Sequence, residues 1–471
     1  MQAGSLILLA ALLGLVEGPA QVACVVAIAL TLVRVLHRHN TPARRARRRR
    51  PQESRDVRGP VRSAAAHAAL RARAALRLAS AGLGWEHIGL LTWLGAGGLA
   101  LAISGIRPSS QDWSRPLMCL ALFVGSHGFA CATPRTLRAI AWAFGAAIAL
   151  NAAYGCVQVL VRGELPLEAL LARNPIDRQR VVPGTAHVLA ASGLFYNRLK
   201  LAHIGVIGLA VLASAAVWPL APRAHERRWW SLGRRLAAML GVVVLIGAIT
   251  LTYSRAAPLA VAVASIVVGF VVRGRKRTGL TQLRRYVVGP SLILGLLVGL
   301  LFAVSLLRSQ SKSVEFGIAR VTRIEQHFDV RVELMRTGLE VFAERPILGW
   351  GHGAYRSVPT QHGPVGIEHP HNFLLQILAE TGMVGALGFA AALFVPLSAL
   401  TRRVRRHRRR RGHARDTLDR LALVTILTYL GIGVLHFPLH HAPVAILFWL
   451  AVGVAFGARR AERKRTEEAS A

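Results

Sequence analysis

The sequence predicts an all-α, polytopic membrane protein with about twelve transmembrane helices and one large outer loop. Three observations predict this fold. Hydrophobic residues make up 53% of the 471 residues, and the mean hydropathy is +0.42. Long apolar stretches such as 236–250, 256–272 and 287–307 contain no acidic residue. The basic residues lie in short segments between these stretches, as expected for loops that connect membrane spans.

Each apolar stretch of sufficient length is assigned one span. The spans are 4–17, 20–36, 85–105, 116–132, 138–160, 201–220, 235–251, 256–273, 287–307, 373–400, 420–436 and 442–458. The first two are short and are joined by Gly18-Pro19, so a single broken helix is the alternative there. The predicted organisation is N-terminal spans 1–37, a basic linker 38–84, central spans 85–307, an outer loop 308–372, C-terminal spans 373–458 and a tail 459–471.

The net charge of +37 does not predict nucleic-acid binding, because the arginines lie between spans and not on a soluble domain. The basic residues instead indicate which loops are cytoplasmic. Most of the 59 Lys and Arg residues fall in the segments 34–77, 223–235, 273–285, 402–420 and 459–465. Loops rich in Lys and Arg remain in the cytoplasm. The segments 161–199 and 308–371 therefore lie on the outer side. Segment 44–77 is either a solvated linker or an amphipathic helix on anionic lipid.

A polar cluster, His369-Pro370-His371-Asn372, stands at the outer end of the apolar helix that starts at Phe373. Imidazole titrates near neutrality and can accept the proton of an alcohol, so a histidine here suits transfer onto a sugar hydroxyl. The alternative is an amphipathic anchor at the membrane interface. We expect His371 to carry the chemistry.

Two basic clusters fall on the same side of the membrane. Thr252-Tyr253-Ser254-Arg255 lies between two spans whose other ends are cytoplasmic, which brings Arg255 to the outer surface. A guanidinium there either extends to the interface or binds phosphate oxygens. The cluster 193–200 adds Arg198 and Lys200. Three basic positions and a histidine predict an anionic, lipid-borne substrate.

The outer loop also contains Gly349, Gly351 and Gly353 beside Trp350, which predicts a tightly shaped platform before the histidine cluster. Several histidines share this loop, yet their spacing matches no compact ligand pattern. We therefore predict neither a metal site nor a cofactor.

Four segments together resemble the ordered motifs of the O-antigen ligase and O-antigen polymerase superfamily. They are SGLFYN at 192–197, LTYSRAA at 251–257, the run 331–356, and HNFLLQILAETGMVGALG at 371–388. The resemblance implies an inner-membrane glycosyltransferase of the C type without a nucleotide-sugar domain. Such enzymes move a glycan from undecaprenyl diphosphate to an acceptor hydroxyl at the periplasmic face, without a metal ion.

The resemblance also implies roles for individual residues. Arg255 matches the arginine that holds the donor diphosphate, with Tyr253 beside it as a substrate contact. His371 matches the acceptor base or its orienting group, and Asn372 would fix the turn and contact substrate. Structural roles are implied for Glu380, Gly382 and Gly385, which match an E-x-G-x-x-G pattern, and we add Gly351.

The chain departs from the family pattern at one point. Many members carry an arginine just before S-G-x-F, where this chain has Ala190 and Ala191. Arg198 or Lys200 would replace that second basic contact, with Arg178 and Arg180 in the same loop as rivals.

Two classes of function remain open. Within the enzyme class, the acceptor is lipid A-core oligosaccharide for a ligase and the growing glycan, O-antigen or exopolysaccharide, for a polymerase; a protein acceptor is a third option. The second class is a polysaccharide transporter, which would line a path through the membrane midplane with charges. Here the polar residues gather on one face, which favours the enzyme.

Overall fold

The computed structural model describes the residues 84–106, 119, 121–129, 132–161, 190–195, 197–217, 228–254, 256–273, 325–358, 369–406, 414–434 and 436–470. Within these ranges all regular structure is helical, and no strand occurs. The predicted spans 4–17, 20–36 and 287–307 lie outside the described residues.

Ten segments of α-helix occur in the described ranges. They are α1 Trp85–Ser104, α2 Ala121–Phe123, α3 Pro134–Val161, α4 Arg198–Val217, α5 Arg228–Leu251, α6 Ala256–Arg273, α7 Glu325–Glu344, α8 Phe373–Arg406, α9 Ala414–Gly433 and α10 Ala442–Ser470. Short 3-10 turns at Tyr355–Ser357 and Pro438–His440 precede α8 and α10.

Five of these helices contain stretches long and apolar enough to cross a membrane, which confirms a polytopic membrane protein. These stretches are Trp85–Ser104, Arg135–Val159, Leu232–Leu251, Phe373–Arg406 and Ala442–Ser470, and α6 contributes the shorter apolar stretch Ala256–Val268. The predicted span 116–132 differs from a regular helix, because α2 continues directly as a π-helix over Val124–Gly128. The total of twelve spans stays a prediction.

Small residues set the closest helix contacts. A Cβ at Gly89 on α1 would stand 2.7 Å from the backbone nitrogen of Ala392, and one at Gly388 on α8 would stand 2.7 Å from the carbonyl oxygen of Gly89. The two backbones therefore approach each other as membrane helices do at small-residue contacts. The π-helix meets α10 in the same way, through Gly125 and Gly453.

Helices α8 and α10 continue beyond the predicted span ends at 400 and 458. Ion pairs join these extensions: both Nε and Nη2 of Arg402 donate to the carboxylate of Glu462 at 2.8 Å, and Arg403 pairs with Asp419 of α9 at 2.9 Å. Paired charges of this kind fit helix ends that leave the apolar layer on the basic side. The residues predicted as a C-terminal tail are thus helical up to Ser470.

Helix α8 is broken at Gly382, where φ is 60° and ψ is −168°. The segment 346–351 of the outer loop bonds to the backbone at this break. The backbone nitrogens of Trp350 and Gly351 donate to the carbonyls of residues 379 and 380, at 3.0 and 2.8 Å. In return, the nitrogens of residues 383 and 384 donate to the carbonyls of residues 346 and 347, at 2.8 and 3.2 Å. Backbone groups freed inside a membrane helix need such partners, so the loop stabilises the break.

Substitution of Gly382 by Ala should destabilise the protein strongly. Its φ is in the left-handed region, and a Cβ would collide with the backbone of Ile347. We expect a cost of about 3 kcal/mol or more. Thermal unfolding in detergent measures it. The matched control is Gly98→Ala, where a Cβ meets nothing within 4 Å; equal melting temperatures for both variants would contradict the proposed role of the break.

The predicted topology can be tested by cysteine labelling. We expect a membrane-impermeant thiol reagent to label cysteines placed at Ser311 and Gln361 in intact spheroplasts, and not one placed at Ser231 near the start of α5. The first two positions lie outside the described residues. Labelling at position 231 would reverse the orientation assigned to the chain.

Candidate functional site

The turn before α8 positions His371 and Asn372. The Oδ1 atom of Asn372 accepts a hydrogen bond from the backbone nitrogen of Leu375 at 3.0 Å, and its Nδ2 donates to the carbonyl of Val434 at 3.1 Å. Asn372 is thus the N-cap of α8 and also ties this helix to the end of α9. His371 has φ 51°, in the left-handed region that a non-glycine residue rarely adopts. These two hydrogen bonds tie the turn before α8 to the helix and to α9, whereas the substrate contact expected of Asn372 stays a prediction.

Tyr253 shares this unusual backbone. Among the described residues, the two non-glycine residues with positive φ are Tyr253, at 54°, and His371. Both belong to the sequence-predicted site. Such strain persists only where surrounding contacts impose it, and it concentrates at functional sites. Around Tyr253, the hydroxyl of Thr252 donates to the carbonyl of Ile249 at 2.6 Å and accepts from the nitrogen of Ser254 at 3.2 Å.

Arg198 joins α4 to this turn. Its Nη1 atom donates to the carbonyl of Thr252 at 2.6 Å, three residues before Arg255 in the chain. Arg255 itself lies outside the described residues, although both of its chain neighbours are described. The structure thus brings Arg198 of the 193–200 cluster into contact with the turn 252–254.

Two buried polar side chains of α3 hold the segment before α4 in place. The side-chain amide of Gln158 bonds to both backbone groups of Gly193, at 2.7 and 2.9 Å, and Oδ1 of Asn151 accepts from the nitrogen of Leu194 at 2.6 Å. Both side chains are buried, so their partners are required. This explains why two amides occur inside a membrane helix, and it fixes where α4 begins.

The sequence analysis placed Arg198 and Lys200 in a loop before the span, whereas both belong to the first turn of α4. Lys200 is only 7% exposed, and it lies near enough to His441 to lower that residue's pKa. Ala190 and Ala191, where the resemblance led us to expect an arginine, are fully buried. Of the rivals, Arg178 and Arg180 lie outside the described residues.

Six histidines from three parts of the chain form a closed circuit, which we call the histidine ring. In order around the ring they are His203, His436, His371, His369, His440 and His441, with successive centroid separations of 6.0, 5.6, 4.5, 5.3, 5.5 and, back to His203, 6.3 Å. In the part of the chain that the structure describes, no three His, Cys, Asp or Glu side chains are grouped as ligands of one metal ion.

Two positive groups among the described residues, Arg331 and Lys200, act on members of the ring. Burial and the nearby Arg331 guanidinium lower the pKa of His371, which keeps this imidazole neutral and able to accept a proton. Burial, with the Lys200 ammonium as the next cause, lowers the pKa of His441 well below its usual value. The site residues also stand at the starts of α4, α6, α8 and α10, where the helix dipoles add partial positive charge.

Helix α7 lies next to the ring. Gly338 is so close to Pro370 that an added Cβ would stand 2.7 Å from the proline Cβ. On this helix Val332 and Leu339 are exposed, whereas Leu334 and Val341 are buried. Arg331, which together with burial lowers the pKa of His371, belongs to the same helix.

The residues expected to be structural belong to the break in α8. Gly351, at φ 109°, donates its backbone N–H to the carbonyl of Glu380. The Glu380 carboxylate is buried and accepts a hydrogen bond from the Gln376 amide one turn earlier. At Gly385, an added Cβ would collide with the side chain of Thr381. The roles themselves stay predictions.

Sequence reasoning missed four histidines of the ring. His203 looked like a residue within an apolar span, and 436–441 looked like a short connection. One signal could have found the second group: HFPLHH separates two predicted spans whose other ends are basic, so the positive-inside rule predicts it on the same side as His371.

Comparison with known families gives one result. The model of a family described as O-antigen ligase matches residues 240–390. This region includes Tyr253, Arg255, His371 and Asn372 and ends before the 436–441 histidines. No curated protein matches the chain.

Proposed function

The chain contains a region of the O-antigen ligase superfamily, and from this premise we propose that it is an O-antigen ligase-like glycosyltransferase of the bacterial inner membrane. The family supports glycan transfer and lipid-linked substrates in general. Our proposal is more specific: the donor is a glycan on undecaprenyl diphosphate, the acceptor is a hydroxyl of lipid A-core, and transfer takes place at the periplasmic face.

One observation carries the proposal. His371 is held in a strained backbone at the start of α8 and belongs to the histidine ring, whose member His441 lies near Lys200 of α4. A neutral imidazole beside fixed cations suits the transfer of an alcohol onto a sugar that leaves a diphosphate. The base must be neutral to accept a proton, whereas the leaving diphosphate gains negative charge that cations stabilise.

The proposed reaction is a displacement at the anomeric carbon. The acceptor oxygen bonds to that carbon while its proton passes to His371. The bond between the anomeric carbon and the diphosphate oxygen breaks, and its electron pair remains on the diphosphate. Arg255 neutralises the developing charge, aided by Arg198 or Lys200. A guanidinium fork suits two phosphate oxygens and can do work often given to a divalent cation.

Deletion of the gene tests the function. We expect lipopolysaccharide gels to show uncapped core, with polymer accumulating on the lipid carrier. A single repeat on core would instead identify a polymerase, the alternative that shares this site chemistry. Unchanged capping, with altered export of another polysaccharide, would support the transporter class and contradict the proposal.

Metal independence is a separate prediction. Transfer by the purified protein, from a lipid diphosphate donor, should continue in EDTA because arginine supplies the charge that a metal would. The measurement is turnover with and without chelator. Activity lost in EDTA and restored by Mg²⁺, Mn²⁺ or Zn²⁺ would contradict the mechanism.

A further inference from the structure

The histidine ring contains more imidazoles than one base requires. His371 is the only member assigned a chemical step, yet five more histidines complete the ring, from α4, from the turn before α8 and from the connection before α10. Four of these, at 203, 436, 440 and 441, lie outside the region that matches the family. The other members of the ring therefore need a separate explanation.

His203 shows that the ring is not simply a packed core. This side chain is 1% exposed, and within the described part of the chain neither ring nitrogen has a hydrogen-bond partner. A buried polar group without a partner costs about 1–3 kcal/mol. Because His203 faces His436 and His441, the inside of the ring is where a partner would have to enter.

The charges around the ring define the partner. Among the described residues, the charged groups that act on His371, His436 and His441 are Lys200 from α4 and Arg331 from α7, and both are positive. The other groups that act on these three imidazoles are members of the ring. Neutral imidazoles among fixed cations disfavour a further cation and favour an anion with several acceptor oxygens.

We propose that the histidine ring binds the diphosphate group of the lipid carrier and takes up a proton as it does so. The inference rests on the proposed function, since that function supplies the diphosphate. An anion placed among the imidazoles stabilises their protonated form, and an imidazolium donates two hydrogen bonds where the neutral ring donates one. The proton comes from solvent and resides on a ring histidine while the diphosphate is bound.

This role extends the chemistry of transfer. When the anomeric bond breaks, the diphosphate gains negative charge, and a protonated ring beside it opposes that charge. His371 meanwhile accepts the acceptor proton. The ring thus divides two tasks, with His371 as base and the histidines before α10 as donors to the leaving group.

The test is calorimetry on the purified full chain in detergent at pH 7, with farnesyl diphosphate as the probe. Titrations in two buffers with different ionisation enthalpies give the number of protons exchanged. We expect uptake of roughly half to one proton per diphosphate bound, with affinity falling about threefold to tenfold per pH unit as pH rises. Farnesol should give no uptake.

Variants assign the proton to the ring. His436→Gln and His441→Gln should each reduce uptake, whereas His87→Gln, on α1, should leave it unchanged; His87 packs against Phe456 away from the ring. Melting temperature and size-exclusion profile report whether each variant is folded. Proton uptake by the wild-type protein tests the inference even if a variant does not fold. Binding without uptake, uptake retained in both ring variants, or uptake with farnesol would overturn the inference alone. Failure of the wild-type protein to bind farnesyl diphosphate would overturn the proposed function as well.

Discussion

Arg255→Ala should abolish glycan transfer while leaving the protein folded and inserted. The residue follows a strained turn in which Thr252 hydrogen-bonds to Ile249 and Ser254, and the proposed role of its guanidinium is to neutralise diphosphate. Loss of one preorganised charge opposite a developing anion costs roughly 10²–10³-fold in turnover. Arg255→Lys should recover only part of the rate, because an ammonium cannot bind two oxygens in parallel.

The matched control for this prediction is Arg235→Ala, an exposed arginine at the other end of α5. It should retain full turnover in the same purified assay. Full activity in the lysine variant would contradict two-oxygen binding by Arg255, and full activity in the alanine variant would remove the residue from the mechanism.

His371→Asn should lower turnover by about 10²–10⁴-fold, the usual contribution of a general base. Asparagine is the replacement that isolates the chemistry, because it accepts the left-handed backbone that this position requires. A melting temperature equal to wild type, with activity lost, is the expected pair of results. Retained activity would contradict the assignment of the base.

The pH dependence of turnover should report the protonation of His371. The base must be neutral to act, and burial and Arg331 lower its pKa, so neutrality persists to lower pH. The acid limb of turnover should therefore lie below the ordinary value of about 6.5. Arg331→Gln should move that limb upward, whereas Arg336→Gln, an exposed residue on the same helix, should not. An acid limb at the same pH in Arg331→Gln and in the wild-type protein would contradict an electrostatic effect of Arg331 on His371.

Particular residues show what the sequence could and could not predict. The start of α8 at Phe373 followed from the change between a polar cluster and an apolar run. The break at Gly382 did not, because the run from 373 to 400 reads as one continuous helix and the hydrogen-bond partners of the break lie 29 to 37 residues earlier in the chain. Hydropathy predicts where the span begins and ends, but it does not predict a non-helical residue within the span.

The site was predicted in outline for a similar reason. Topology alone assigned residues 198, 255 and 371 to one face, and the contact between Arg198 and Thr252 fits that assignment. It could not bring His203 to His441, since these residues are 238 positions apart in the printed sequence. The order of spans along the chain predicts on which side of the membrane a residue lies. Contacts between residues on that side depend on how the helices pack.

The hydrogen bonds between segment 346–351 and the break in α8 also decide which pieces of this protein can be exchanged. Each side supplies the backbone partners of the other, so neither has a satisfied conformation by itself. A chimera that imports a foreign outer loop to change acceptor preference must import residues 379–384 of its helix with it. The two segments 346–351 and 379–384 must therefore be exchanged together. The junctions of a chimera should lie outside both of them.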